Sequence, residues 1–251
     1  MNREAMYAVM QGSGSTDYEL YLNTPALLAC QKDYHDLANR DELQFQIVHQ
    51  IEELWMKLIG YSLLEIDECI QAHQTNRAVT LFRRVHRVQE LMNMQFSLLE
   101  TMSPKDYQTI RATLGNGSGQ ESPGFRSLLR MSRQLWQSFQ TYYLDAHGLT
   151  VEKIYDSEYS HCDAYVVAEA LAEYDSQFRR FRFQHIELIR RTIGIGARSL
   201  KGRPVEMIEA GIRYQFFPEL WAVRDQMTDN WGANYGYVRD SLSRQPAHAA
   251  A

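Results

Sequence analysis

One histidine stands where a helix could hand it to a metal. From Val167 onward, apolar and aromatic residues recur at alternating steps of four and three, through Leu171, Tyr174, Phe178, Phe181, His185, Leu188 and Thr192. That period belongs to a buried helical seam. A histidine in such a seam is fixed in direction and shielded from water, so its neutral ring nitrogen can ligate haem iron or another metal. The position also suits a core histidine satisfied by a hydrogen bond. Other patterns of chemistry are sparse. No two of the eight histidines stand four apart, the spacing that stacks a pair of ligands on one helix face. His49 and Glu53 have that spacing, but no partner motif repeats it. There is no GxSxG turn for a nucleophilic serine, and the stretch Gly115-Asn116-Gly117-Ser118-Gly119 lacks the lysine and the strand that a phosphate loop needs.

The elements that must position these residues read as helices. Six prolines and 14 glycines punctuate 251 residues, and apolar residues recur at three and four rather than at two. The chain is therefore expected to be all-α. A first core helix follows the stripe Leu43, Ile47, Ile51, Leu54, Leu58, with Asp41 and Glu42 in its first turn. A second follows Phe82, Val85, Met92, Phe96 and Leu99. Ser103-Pro104-Lys105-Asp106 then opens a new helix, with serine as the cap and proline at the first helical position. The run from Gly115 to Gly124 is expected to be a loop, and so is the stretch from Ile195 to Arg203. Pro204 and Pro218 should each open a short helix, and residues 245–251 read as a disordered tail.

Composition narrows the function classes. With 45% hydrophobic residues the chain can bury a real core, and a single domain over 1–251 is the default expectation. A net charge of −5, from 26 basic and 31 acidic residues spread along the chain, leaves no basic stripe for nucleic acid. No apolar run approaches the ~20 residues of a membrane helix. Cys30, Cys69 and Cys162 are odd in number and contain no CxxC pair, which fits a reducing, cytoplasmic setting without a disulfide framework.

Several blocks, in order along the chain, carry a further signal. They are Tyr18-Glu19-Leu20-Tyr21-Leu22 with Leu27-Leu28; Asp41-Glu42, Phe45, His49-Gln50 and Glu53 to Leu58; Leu99 to Pro104; Phe125-Arg126; Phe183-Gln184-His185 running to Ile193-Gly194; and Phe216 to Leu220 with Val223-Arg224. Together they resemble the tryptophan 2,3-dioxygenase family, over most of the chain outside residues 127–175. The resemblance implies a helical bundle of that type, haem b as cofactor, an aromatic amino acid with dioxygen or peroxide as substrates, and a homo-oligomer. It makes His185, nine residues before Gly194, the axial haem-iron ligand. Arg126, after the glycine-serine loop, is implied to hold the substrate carboxylate. Ser199 is implied to contact the substrate ammonium, and Tyr18 and Tyr21 to line a neighbouring subunit's pocket, with residues 1–38 packing on that neighbour.

The sequence departs from the family pattern in two places. Directly before Asp41-Glu42, where the resemblance leads us to expect a distal-pocket histidine, stand Asn39 and Arg40, and His35 lies five residues earlier. Arg40 over the iron would favour a bound anion or peroxide, whereas an Arg40 paired with Asp36 or Glu42 would be a surface residue. The segment from Arg126 to His185 is also short, which implies a trimmed insertion between the core helices. The leading expectation is oxidation of the indole ring of tryptophan or a derivative, by one oxygen atom or two. A haem-dependent tyrosine hydroxylase, a non-catalytic haem protein and a helical interaction protein are the alternatives.

Overall fold

The computed structural model describes residues 2–157, 160–194, 196–200, 202, 210–230, 232, 236 and 241. All the regular elements among them are helical. Three short helices, α1 (Arg3–Met10), α2 (Asp17–Leu22) and α3 (Thr24–Leu28), lead to two long ones, α4 (Glu42–Gln71) and α5 (Thr75–Leu99). Then come α6 (Pro104–Arg111), α7 (Pro123–Phe139), α8 (Val151–Tyr155), α9 (Asp163–Thr192) and α10 (Pro218–Asn230). Helix α5 packs between α4 and α9, and α7 lies along α4. The trimmed stretch between Arg126 and His185 holds the rest of α7, a π-helical turn at Gln140–Leu144, a 3-10 turn and α8.

The helix starts follow their capping chemistry. Ser103 Oγ accepts from the Asp106 N–H at 3.1 Å, as its position before Pro104 leads us to expect. Ser122 Oγ accepts from Phe125 N–H at 2.9 Å, and Pro123 occupies the first helical position, so α7 begins inside the stretch expected to be loop. The entry to α4 is built by Asn39, whose Oδ1 accepts from the N–H groups of both Asp41 and Glu42 at 3.1 Å. Asn39 and Arg40 thus form the turn into α4. Pro218 opens α10 as expected; Pro204 and residues 245–251 lie outside the described residues.

The stripe expected on α4 is out of phase with the observed core. Ile47, Leu54 and Leu58 are exposed, whereas Val48, Met56, Ile59, Leu63, Ile66 and Ile70 are buried. Both sets repeat at helical spacing, so periodicity alone could not choose between them. The seams on α5 and α9 are placed as expected, with Phe82, Val85, Met92, Val167, Leu171, Tyr174 and Phe178 all buried.

Two buried polar anchors on α9 hold the later chain against the bundle. Asp175 Oδ2 accepts from the Phe216 N–H at 3.0 Å and from Trp221 Nε1 at 2.8 Å. Arg182 donates through Nη1 to the carbonyls of Gly211 (3.1 Å) and Tyr214 (2.8 Å), and its guanidinium lies 4.8 Å from the Phe178 ring centroid. No helix among the described residues is long and apolar enough to cross a membrane, and all three cysteines are free thiols.

Candidate functional site

The first half of α4 and the last third of α9 do not meet. Between them, closed by α6, the turn after Gly117 and the segment around Tyr214, lies a cavity of about 1130 Å³. That exceeds the ~300–1,000 Å³ of ordinary small-molecule pockets. Phe45, His49, Glu52, Glu53 and Met56 form its α4 wall. Phe45, Glu52 and Glu53 lie three or four residues from His49, and Met56 one turn further on, so they share one broad face, and the 11 residue steps from Phe45 to Met56 make that wall about 16 Å long.

The two ends of the wall differ in chemistry. At one end the Phe45 ring meets Tyr107 (centroids 6.1 Å apart), and Arg111 reaches the Arg198 carbonyl at 2.6 Å, with Ser199 also in the wall. At the other end Glu53 Oε2 accepts from the Gly124 N–H at 3.1 Å, and Phe125 stacks on Phe178 at 5.4 Å. A Cβ on Gly124 would stand 2.7 Å from Met56 Cβ, so only glycine lets the start of α7 come this close to α4.

His185 and His49 face the same cavity from α9 and α4. By surface His49 is exposed and His185 half-buried, and both line the cavity. Burial, and then the charge His49 would carry, pull the His185 pKa down to about 4. Burial likewise lowers the His49 pKa, against the pull of the Phe45 carbonyl and the Glu53 charge. Both rings are therefore neutral at neutral pH. His49 Nδ1 lies 2.7 Å from the Phe45 carbonyl, which can only accept, so Nδ1 carries the proton and Nε2 offers a lone pair.

Two carboxyls share the wall with opposite fates. Glu42 is buried, which raises its pKa, but the salt bridge from Lys32 Nζ at 2.6 Å and the Ala38 N–H outweigh burial and hold it below the usual range. Glu52 has no such support. It is 8% exposed, its Oε1 is buried without a hydrogen-bond partner, and burial followed by the Glu53 charge pushes its pKa up to about 8.

Of the residues singled out in the sequence, the structure brings His185 and Ser199 into the cavity wall. It places Arg40 and Arg126 elsewhere: both side chains are exposed and neither lines the cavity. Glu42, a surface partner considered for Arg40, is taken by Lys32. His35 is exposed and lies 3.7 Å from Glu4. Tyr18 and Tyr21 on α2 are 72% and 89% exposed and reach no part of this chain's cavity wall. His49, weighed in the sequence only for its spacing to Glu53 and as part of a matching block, also lines the cavity, as do Glu52, Tyr107 and Arg111, which the sequence did not single out. The available signal was polar residues in phase with Phe45 and Met56 on α4, and a Tyr-Arg pair four apart on the short helix after Ser103.

Residues 3–135 match the sequence profile of the family described as tryptophan 2,3-dioxygenase. The chain belongs to the tryptophan 2,3-dioxygenase family. It is thus an oxidoreductase by family. Among its relatives, the tryptophan 2,3-dioxygenase of Myxococcus xanthus is 28% identical over 86% of this chain and 91% of its own length. That of Serratia proteamaculans is 27% identical, over 84% and 92%, and that of Ruegeria sp. 29% identical, over 88% and 96%. The profile match takes in the α4 wall and Arg111, and the alignments with these relatives span most of the chain.

Proposed function

We propose that this member of the family is a haem-dependent oxygenase that oxidises the ring of an aromatic amino acid, tryptophan or a tryptophan derivative. The observation that carries the reading is the pair of neutral imidazoles, His185 and His49, that line one cavity together with the guanidinium of Arg111. Among the described residues no three His, Cys, Asp or Glu side chains converge, so an iron here needs its remaining ligands from a macrocycle. His185 would hold the iron of such a group, because its ring nitrogen stays unprotonated down to about pH 4. When bound, haem b supplies the activation of dioxygen or peroxide.

The chain's own side chains supply binding and orientation. Arg111 takes the role that the resemblance drew for Arg126: it stands in the wall and pairs with the substrate carboxylate by a charge-assisted contact. His49, rather than Arg40, faces the reacting ring, where Nε2 accepts a hydrogen bond from an indole N–H. Ser199 lies near enough to Arg111 to meet the substrate's ammonium group. Phe96, Leu99, Leu129 and Phe181 in the wall keep water from the ring.

A homo-oligomer completes the reading. Ile47, Leu54, Leu58, Tyr61 and Leu64 form an exposed apolar face on α4, and Tyr18 and Tyr21 stand free on α2. A second copy of the chain covers the first and receives the second. The free thiols suit a cytoplasmic setting. The test is to reduce the haem-loaded protein and incubate it with tryptophan, ring-substituted tryptophans and tyrosine under dioxygen or peroxide. Mass analysis should find products heavier by one or two oxygen atoms. No Soret band and no oxidised product would overturn the proposal, and light scattering that shows a fully active monomer would overturn the oligomer.

A further inference from the structure

Among the described residues of the cavity wall, Glu52 alone carries a buried polar side-chain atom with no hydrogen-bond partner. Its neighbour Glu53 is satisfied by the Gly124 N–H, and Glu42 by Lys32 and the Ala38 N–H. Glu52 Oε1 has no partner, although the residue is nine-tenths buried. A buried carboxyl left unpaired is costly in the folded protein, and a core position of this kind is ordinarily apolar. The residue is therefore a liability unless something entering the cavity satisfies it.

Its place on α4 indicates what that is. The wall runs from the Tyr107 and Arg111 end through Phe45 and His49, and Glu52 stands one turn beyond His49 on the same face. From Phe45 to Glu52 is about 10 Å of helix. An amino acid whose carboxylate meets Arg111, with its ring along Phe45 and His49, points the far edge of that ring at Glu52.

We propose that Glu52 is a specificity-determining residue that hydrogen-bonds a hydroxyl or amino substituent on the substrate's aromatic ring. This inference rests on the aromatic amino-acid reading above and narrows it to ring-hydroxylated or ring-aminated members of that class. Burial holds the carboxyl neutral near pH 7, so it offers both an O–H donor and a carbonyl acceptor. A hydroxyl, also donor and acceptor, matches it in either sense. An unsubstituted ring leaves the carboxyl unpaired.

The test is calorimetric titration of the purified full chain, with and without added haemin, using two matched pairs: tyrosine against phenylalanine, and 5-hydroxytryptophan against tryptophan. The wild type should bind the hydroxylated member of each pair roughly tenfold more tightly, the effect of one added hydrogen bond in a desolvated site. Glu52→Gln, which keeps shape and hydrogen-bonding capacity, should retain most of the preference. Glu52→Leu should abolish it, and should raise the melting temperature of the free protein by removing an unpaired buried group. Equal binding within both pairs, or a preference that survives in Glu52→Leu, overturns the assignment while leaving the aromatic amino-acid reading intact. Unchanged preferences with weakened haemin binding in Glu52→Leu overturn it in favour of a cofactor contact. Binding of none of the four amino acids overturns both the assignment and the reading beneath it.

Discussion

The same two helices do opposite work at their two ends. The second half of α4 and the first half of α9 press Ile59, Leu63, Ile66, Val167, Leu171 and Tyr174 into a continuous core with Phe82 and Phe139. The first half of α4 and the last third of α9 stand apart around the cavity and carry His49, Glu52 and His185. In the solid end apolar side chains pack on one another, and some polar groups pair internally: Thr75 Oγ1 lies 2.7 Å from Tyr143 Oη and donates to Asp163 at 2.8 Å, whereas Gln89 Oε1, Trp136 Nε1 and Asp175 Oδ1 are buried without a partner. In the hollow end two imidazoles and a carboxyl with an unpartnered oxygen line the cavity. The difference separates where the fold is stabilised from where, on the proposed reading, a substrate would bind, and it can be broken experimentally.

The largest effect should come from the solid end. Phe82→Ala, at a fully buried position, is expected to cost about 3–5 kcal/mol of folding stability, measured by denaturant unfolding. The folded fraction should still bind haemin and amino acids normally. A loss below 1 kcal/mol would erase the contrast between the two ends.

At the hollow end, Arg111→Ala should leave folding nearly unchanged and cost on the order of 2–5 kcal/mol of amino-acid binding. Arg126→Ala, on the exposed side of α7, should change binding by no more than about 0.5 kcal/mol. Calorimetry on both variants sharpens the comparison, and the reverse order of effects would move the carboxylate site back to Arg126.

A smaller effect is set by pH. The folded protein holds His185 at about pKa 4, below the ordinary value of about 6.5. Between those values the unfolded chain binds the proton that the folded chain refuses, so stability falls as pH drops from about 6.5 to about 4 and this contribution changes no further below that. His185→Leu should flatten part of the decline. Melting curves of variant and wild type that fall in parallel through the window would show that His185 is not enclosed.

These predictions also mark what was legible in the sequence. The long seams of α5 and α9 were readable because one face of each is apolar and the other is not. That pattern is what put His185 on a buried helix face. Helix α4 misled because it is apolar on two sides, one buried at Ile59 and Leu63, the other exposed at Leu54 and Leu58; period cannot tell a core from an uncovered surface. His49 is in phase with Phe45 on α4 and lines the cavity, whereas Arg40, in the turn before α4, does not. Arg111 was missed because a site assembled from α4, α6 and α9 has no local spacing. Glu52 could not be valued at all without the structure, since its meaning lies in the absence of a partner.

On the proposed reading His185, not His49, holds the iron. Haemin titration followed by absorption spectroscopy of wild type, His185→Ala and His49→Ala tests it most directly. A histidine-ligated Soret spectrum is expected in the wild type and in His49→Ala, and its loss in His185→Ala. Retention of that spectrum in His185→Ala, with loss in His49→Ala, would contradict it.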